Sequence, residues 1–238
     1  MMEKLNELST VEDFEFAALQ KAEKYRAGLV REFLPFLKGD VIEIGAGVGQ
    51  FTRALSALPS IQRLISIEPE PRFCRLFKEL MPNQTLFEGT IEALPSDDEW
   101  DTIVSINVLE HIREDGAELA KYRERLGRRR GPLCLFVPAR PEIYAPIDRD
   151  FGHHRRYTRS QLRQTLEVAG FSVVRLNYFN WVGYFAWWFN FCVLKKRHFD
   201  VGSVIFFDRV IFPIVHLLER NVLRPPFGQS LLTVAQAE

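Results

Sequence analysis

Three glycines, Gly45, Gly47 and Gly49, lie where a short apolar stretch, residues 41–44, gives way to a helical pattern. Glycine lets the chain turn sharply and brings its backbone close to a ligand. A ligand bound there meets backbone N–H groups and the positive end of the following helix. Dinucleotide-binding proteins use the spacing G-x-G-x-x-G. Counted from Gly45, the third glycine of that pattern would be residue 50, but the chain has Gln50, so this glycine spacing is tighter.

A carboxylate, Glu68, closes the next predicted strand and is followed by Pro69. At the end of a second strand, a carboxylate can accept two hydrogen bonds from a ribose diol. Glu68 lies 19 residues after Gly49, close to the interval found in nucleotide-binding βαβ units. The loop and the carboxylate together therefore predict a ligand that carries a ribose.

The pattern E-x-G-x-G-x-G at residues 43–49 resembles the first motif of the class I S-adenosylmethionine-dependent methyltransferases. Residues 105–112, Ser-Ile-Asn-Val-Leu-Glu-His-Ile, resemble the fourth motif of the same family. The resemblance covers residues 41–176 and the last strand, and implies S-adenosylmethionine as the cofactor. It places Asn107 near the methionine end of the cofactor, and Thr90 and Ile91 against the adenine. The residues expected to bind the cofactor are Glu43, Gly45, Ala46, Gly47, Gly49, Glu68, Pro69, Thr90, Ile91, Asn107, Val108 and His111.

Residues 148–160 combine two histidines, a tyrosine and four arginines after the fifth predicted strand. Histidine titrates near neutral pH, so His153 or His154 is a candidate base for an acceptor hydroxyl or ammonium group. Tyr157 would orient the acceptor, and Arg155 and Arg156 would bind a carboxylate or phosphate on it. An equally weighted alternative makes the segment a polar loop that caps the next helix. No metal site is predicted, because no cysteine or further histidine lies nearby in the sequence.

These candidate residues fall on a regular alternation of strands and helices. Strands are predicted at residues 41–44, 64–67, 85–87, 101–106, 133–137, 171–176 and 231–235. Helices are predicted at residues 50–58, 71–80, 114–126 and 160–169. Strands that are apolar on both faces and alternate with helices favour a mostly parallel sheet with helices on each side. The expected fold class is therefore α/β, a doubly wound seven-stranded sheet of the Rossmann-like methyltransferase type.

The chain divides into three predicted segments. Residues 1–38 form an N-terminal helical segment, residues 39–177 with 230–238 form the cofactor-binding core, and residues 178–229 form a helical aromatic insert before the last strand. Helix-like runs near 181–194 and 204–220 are rich in aromatic and aliphatic residues, with Pro213 as an expected kink. A helix that is apolar on every side is buried or meets something apolar.

Three interpretations of the insert remain open. In the first, the insert forms a lid over a hydrophobic acceptor, with Trp181 as a substrate contact. In the second, it forms a packing or homodimer surface. In the third, it makes a peripheral membrane contact. Tryptophan, tyrosine and basic residues such as those at 195–197 are favoured at membrane interfaces. A true membrane span is not expected, because Asn177, Asn180 and Asn190 interrupt the uncharged run.

Charge and composition narrow the class of protein further. The 238 residues include 31 basic and 31 acidic side chains; residues 1–130 hold 18 basic and 23 acidic ones, and residues 131–238 hold 13 and 8. This balance argues against a nucleic-acid partner, while the basic second half favours an acceptor or nearby surface with some negative charge. The three cysteines do not form a disulfide or zinc pattern, and no signal-peptide pattern is visible, so a cytoplasmic location, with membrane-peripheral contact as an alternative, is expected.

The sequence thus predicts an S-adenosylmethionine-dependent methyltransferase that acts on an O or N atom of a small or lipid-like molecule. One alternative is an NAD(P)-dependent oxidoreductase, which Gln50 disfavours. Another is a non-catalytic scaffold with the same fold, which the intact cofactor motifs disfavour. The sequence does not identify the acceptor.

Overall fold

The computed structural model describes residues 20–95, 98–221 and 225–238. The strands are β1 (Gly39–Ile44), β2 (Ile61–Glu68), β3 (Thr85–Glu88), β4 (Thr102–Ile106), β5 (Pro132–Pro138), β6 (Phe171–Phe179) and β7 (Ser230–Ala237). The helices are α1 (Glu23–Phe33), α2 (Thr52–Leu55), α3 (Pro71–Leu80), α4 (Asp115–Leu126), α5 (Pro146–Asp150), α6 (Arg159–Val168), α7 (Trp181–Trp187), α8 (Val201–Phe206) and α9 (Phe212–Asn221). The start of the predicted N-terminal helical segment, residues 1–19, lies outside the described residues.

Within the described residues, seven strands form one sheet in the order β3-β2-β1-β4-β5-β7-β6. The strands β1 to β5 are parallel, while β7 runs antiparallel to both β5 and β6. The predicted seven-stranded α/β fold is confirmed. Strand β1 pairs with β2 on one side and β4 on the other, so the chain reverses its winding between β1 and β4. In open α/β sheets, ligands bind beyond the carboxyl ends of the strands at this switch point.

Both faces of the sheet are covered, because alternate residues of each central strand point to opposite sides. On one face, Ile42 and Ile103 belong to a core cluster with Leu119 of α4 and Leu162 of α6. On the other face, the second cluster contains Val41, Val104 and Phe136 from the sheet, Leu29 and Phe33 from α1, and Phe212 from α9. The insert is therefore part of the same hydrophobic core as the sheet.

Polar side chains fix the insert to the rest of the chain. Asp208 is buried, and its carboxylate accepts hydrogen bonds from the backbone N–H groups of Lys24 (3.1 Å) and Tyr25 (2.8 Å) in the first turn of α1. Glu219 of α9 accepts hydrogen bonds from the N–H groups of Asn180 (3.1 Å) and Trp181 (2.7 Å) at the start of α7. Each carboxylate satisfies N–H groups that have no partner within their own helix.

The insert helices are less regular than the sequence predicts. Helix α7 continues as a π-helix (Trp188–Val193), and a second π-helix (Phe207–Ile211) joins α8 to α9. Pro213 lies in the first turn of α9, directly after that π-helix. Proline lacks the N–H that an α-helix needs, and a π turn changes the local bonding pattern to accommodate this.

Three other differences concern the connections. Helix α2 begins at Thr52 instead of Gln50, because residues 47–51 continue the turn that the glycines begin. Strand β6 runs to Phe179, beyond its predicted end at residue 176, and pairs along this length with β7. The short helix α5 between β5 and α6 was not predicted. Its five residues are too few for a clear helical period.

Candidate active site

The glycine loop lies at the carboxyl end of β1 in a conformation that requires glycine. The φ angles of Gly45, Gly47 and Gly49 are +72°, +54° and +87°, values that L-residues with a side chain rarely adopt. A Cβ atom at Gly45 would overlap the side chain of Val108, which follows β4. A Cβ at Gly49 would lie 2.6 Å from Cγ of Met81. The loop is therefore closely packed against the residues that follow β4 and α3.

Glu68 stands beside this loop at the end of β2. Its Oε2 accepts a hydrogen bond from the N–H of Gly47 (2.7 Å), and its Oε1 accepts one from the N–H of Glu70 (2.9 Å). Burial raises the pKa of this carboxyl, although both hydrogen bonds oppose the shift. Each oxygen keeps a further lone pair, so the carboxylate can also accept hydrogen bonds from a ribose diol. Its position and chemistry fit the predicted cofactor.

Glu43, the acidic residue of the first motif, has a different environment. It is buried, and its Oε2 accepts hydrogen bonds from the hydroxyls of Thr52 (2.5 Å) and Ser66 (2.7 Å). Burial raises the pKa of Glu43 to about 7, against the effect of these two bonds. The side chain thus ties the end of β1 to α2 and β2 under the loop. Its predicted contact with the cofactor is not visible in this arrangement and stays a prediction.

The remaining predicted cofactor residues surround the same edge of the sheet. Asn107 directly follows β4, has a φ of +53°, and donates its N–H to the carbonyl of Phe136 (2.9 Å). Thr90 is exposed and its hydroxyl bonds to Glu92 (2.7 Å), while Ile91 is buried. Pro69 is exposed beside Glu68. The parallel strands β1, β2, β3 and β4 end at the same edge of the sheet, so all these residues lie along that edge.

A cavity of about 670 Å³ opens between the sheet and the insert. At the sheet it is lined by Asn107, Phe136 and Pro138, which lie at the carboxyl ends of β4 and β5. From the insert, residues of α7, α8 and both π-helices contribute, including the aromatic residues Trp187 and Phe191. Glu110, Phe151, His153 and Arg156 also line it. Asn107 is thus shared between the expected methionine end of the cofactor and this cavity.

His153 is held by a buried carboxylate that the sequence did not single out. The Nδ1 of His153 lies 3.0 Å from Oδ1 of Asp148, the third residue of α5. The same Oδ1 accepts a hydrogen bond from Nε of Arg156 (2.8 Å) and forms an ion pair with Nη2 of Arg156 (2.8 Å), while Oδ2 accepts a hydrogen bond from the N–H of Ala145 (2.8 Å). Burial alone would raise the pKa of Asp148, but the bonds from His153 and Arg156 prevail and lower it.

Glu110 and His111 complete this cluster from the turn after β4. The Nε2 of His153 lies 4.0 Å from Oε1 of Glu110, and both side chains are buried. His111 keeps exposed surface, yet its ring packs edge-on against His153 with 4.7 Å between centroids. Desolvation, followed by the nearby His153 and His154, lowers the pKa of His111 to about 4, so this imidazole is neutral at pH 7.

Glu110, His111 and His153 each bring a ligand atom within 4.8 Å of the others, an arrangement that could hold a metal ion. The sequence predicted no metal here, because no cysteine or further histidine lies near His153 and His154 in the chain. His111 follows β4 and His153 follows β5, and the parallel pairing of these strands brings the two together.

The structure does not bring every predicted residue to the cavity. His154 is exposed, and its N–H bonds to the carbonyl of Glu110 (2.8 Å). The Tyr157 hydroxyl donates to Asp115 (2.9 Å), and Arg155 pairs with the same carboxylate (2.6 Å). Through these contacts, Tyr157 and Arg155 connect the loop between α5 and α6 to α4.

Among the insert tryptophans, the structure favours a different residue from the predicted one. Trp181 is half-buried at the start of α7 and does not line the cavity. Trp187 is buried, lines the cavity, and stacks under the guanidinium of Arg156, with 4.3 Å from Cζ to the ring centroid. Helical periodicity could have placed both on the insert, but only the tertiary packing shows which one faces the sheet.

The sheet order, with a glycine loop and an acidic residue at its switch point, defines the fold of the class I S-adenosylmethionine-dependent methyltransferases. The sequence profile described as methyltransferase domain matches residues 18–176. The chain therefore belongs to this methyltransferase family. Membership favours the methyltransferase interpretation over a nicotinamide-dependent oxidoreductase.

Solved structures of methyltransferases are similar to this chain in fold. An S-adenosylmethionine-dependent methyltransferase from Archaeoglobus fulgidus has 16% identity and a TM-score of 0.57, with 90% of this chain and 94% of that chain covered. One from Mesorhizobium loti has 15% identity and a TM-score of 0.58, with 87% and 94% covered. A complex of a methyltransferase with the Haloferax volcanii Trm112 methyltransferase activator contains a chain with 16% identity and a TM-score of 0.62, with 94% and 93% covered. No curated protein sequence matches this chain significantly.

Proposed function

We propose that this protein transfers the methyl group of S-adenosylmethionine to an O or N atom of a small or lipid-like acceptor, and that the acceptor's apolar part occupies the cavity between sheet and insert. The observation that carries this proposal is the position of His153. Its imidazole lines the same cavity as Asn107, which directly follows β4 at the switch point of the sheet.

The glycine loop, Glu68 and Asn107 would hold the cofactor. Their chemistry fits this cofactor. The glycine loop lets the backbone approach a ligand, the Glu68 carboxylate can bind a ribose diol, and Asn107 is a polar residue at the end of β4. All three lie along one edge of the sheet. When bound there, S-adenosylmethionine supplies an electrophilic methyl group, and the protein contributes position and a water-poor site.

His153 would take the acceptor's proton. Asp148 is ionised, and a carboxylate only accepts hydrogen bonds, so Nδ1 of His153 carries the proton that bonds to it. In the neutral ring the other nitrogen, Nε2, carries the lone pair, and it has no hydrogen-bond partner among the described residues. This tautomer is the one that can act as a base. Asp148 and Arg156 are positioning residues, since they fix the ring.

The cavity wall favours an acceptor with an apolar part. Phe136, Phe151, Trp187 and Phe191 supply aromatic surface. Arg156, which the sequence offered as an anion-binding residue, is already neutralised by Asp148 at 2.8 Å. We therefore assign Arg156 to the support of His153 instead of to direct binding of a charged acceptor.

The test is methyl transfer from labelled S-adenosylmethionine to a lipid and metabolite extract, with wild type, His153→Asn and His154→Asn compared. Asparagine at 153 keeps a donor for Asp148 but removes Nε2. The neighbouring exposed histidine is the matched control. We expect transfer by wild type and His154→Asn, and a loss of about 10²–10⁴-fold in His153→Asn, which is the usual contribution of a general base.

S-adenosylhomocysteine affinity must be measured alongside, so that a folding defect is not mistaken for a lost base. Equal turnover of His153→Asn and wild type would show that His153 is not the base. Wild-type protein that binds the cofactor but methylates nothing in the extract would favour the non-catalytic alternative.

A further inference from the structure

The long insert helix, Val201–Asn221, has one face that no described residue covers. Phe206, Val210, Ile214 and Leu217 are 57%, 48%, 60% and 61% exposed. Their spacing of three or four residues places them on one side of a helix. The opposite side of the same helix, including Asp208, packs against the core. The exposed stripe is therefore a distinct outer surface of a helix that is otherwise anchored to the domain.

The first insert helix, residues 181–193, also carries exposed apolar residues. Phe185, Trp188 and Phe189 are about half exposed, as are Val193 and Leu194 at its end. Isolated exposed apolar residues are ordinary, but a set this large on two consecutive helices indicates an interaction surface. We call the exposed apolar residues of these two helices the insert surface.

The charges next to the insert surface have one predominant sign. Lys195, Lys196 and Arg197 connect the two helices, and Arg209 and Arg220 lie on the long helix; all five are exposed. The acidic residues of the insert, in contrast, bind backbone N–H groups. Asp208 and Glu219 bind backbone N–H groups on the inner side, and Asp200 caps α8 by accepting the N–H of Ser203 (2.7 Å). Arg197 pairs with Asp150 outside the insert.

We infer that the insert surface docks on an anionic lipid bilayer, with both helices lying in the plane of the membrane interface. Exposed aromatic and aliphatic side chains flanked by lysine and arginine are the composition that such interfaces favour. A contact between two copies about a twofold axis would instead place two basic insert surfaces face to face. Charge complementarity therefore favours the lipid surface.

Docking differs from spanning. The long insert helix is the one described helix that by length and composition could cross a membrane. Its inner face, however, carries Asp208, which binds α1, and Phe212 and Val215, which are buried in the domain. A crossing would remove these contacts, whereas an interfacial position keeps them.

Docking would also place the cavity mouth at the headgroups. Lys196, His198 and Phe206 line the cavity and belong to the segment that faces the membrane. This consequence rests on the proposed function, in which the cavity takes the acceptor. The docking itself does not depend on it.

Vesicle flotation of the full chain tests the inference, with phosphatidylcholine vesicles that contain or lack phosphatidylglycerol. We expect wild type to bind the anionic vesicles and to be released by high salt in part, since salt screens the charges. Phe206→Ser/Ile214→Ser should bind roughly tenfold or more weakly, because two apolar side chains no longer insert. The matched control is Val168→Ser/Val174→Ser, which changes exposed residues outside the insert and should bind like wild type.

Charge variants measure the electrostatic contribution to vesicle binding. Lys195→Gln and Arg209→Gln should each weaken binding to anionic vesicles about fivefold, whereas Lys38→Gln, at an exposed position outside the insert, should not. Wild type that does not bind anionic vesicles would overturn the inference, as would equal binding by the Phe206→Ser/Ile214→Ser variant.

A wild-type dimer that becomes a monomer on Phe206→Ser/Ile214→Ser would assign the surface to a second copy and would also overturn the inference. An unchanged far-ultraviolet circular dichroism spectrum in each variant shows that it is folded. Vesicle binding is measured without turnover, so its failure is distinct from a failure of the proposed function.

Discussion

Replacement of Asp148 by asparagine tests the buried cluster that supports His153. The carboxylate accepts three hydrogen bonds, from Nε of Arg156, Nδ1 of His153 and the N–H of Ala145, and forms an ion pair with Nη2 of Arg156. Asparagine has the same shape but no charge, so the side chain of Arg156, which is 1% exposed, would be left buried without a counter-charge. Breaking a buried ion pair in this way costs about 3–5 kcal/mol.

We expect this loss in the free energy of unfolding, measured by urea denaturation and followed by tryptophan fluorescence. A loss of this size is a large part of the ~5–15 kcal/mol that stabilises a typical domain. The double variant Asp148→Asn/Arg156→Met removes both charges, while the methionine can still pack on Trp187. It should therefore be more stable than Asp148→Asn alone. A loss below about 1 kcal/mol in Asp148→Asn, the range of exposed ion pairs, would refute the argument.

Three further predictions concern the loop and the insert. Gly45→Ala should destabilise the fold by about 1–3 kcal/mol, because residue 45 has a positive φ and the added Cβ overlaps Val108. The same variant should not bind S-adenosylhomocysteine in calorimetry, and wild-type affinity would contradict this. Burial raises the pKa of Glu43 in the folded state from 4.5 to about 7. Between these pH values the folded state holds a proton that the unfolded state has released, so the free energy of unfolding falls as the pH rises from 4.5 to 7. Glu43→Gln should flatten this dependence in denaturation curves measured across that range, and an unchanged slope would be inconsistent with it. Asp208→Asn should cost about 1 kcal/mol by weakening the cap of α1; an unchanged thermal midpoint would show that the cap contributes nothing.

The cofactor half of the site could be predicted because its signals are local in the chain. The glycine spacing and Glu68 each follow a strand within one βαβ unit, so their mutual position depends on few tertiary contacts. The structure adds that Glu43 lies beneath the loop, bonded to Thr52 and Ser66. That role depends on three segments that meet in space, which the motif alone does not show.

The acceptor half was harder to predict, because its residues come from distant segments. His153 and His154 are adjacent, and no local pattern shows that one is buried beside Asp148 and the other exposed. Tyr157 resembles a catalytic residue in sequence, but its partner Asp115 lies on α4. In both cases, the packing of the loop against the sheet decides the role.

The role of the insert also depends on packing that the local sequence does not show. Its aromatic content predicts contact with something apolar, and the three interpretations of the sequence describe different surfaces of one element. The inner side, with Trp187 and Phe191, lines the cavity, whereas the outer side, with Val210 and Ile214, is exposed. A lid and a membrane-facing surface are therefore compatible, which the sequence pattern alone could not establish.

The proposed function requires that the glycine loop and Glu68 form an S-adenosylmethionine site. Isothermal calorimetry of S-adenosylhomocysteine with wild type and Glu68→Ala tests it most directly. We expect one ligand per chain for wild type and binding that is weaker by about tenfold or more in Glu68→Ala, since two hydrogen bonds to a charged group are lost. Absence of binding by folded wild-type protein, or equal affinity of the two proteins, would contradict the claim.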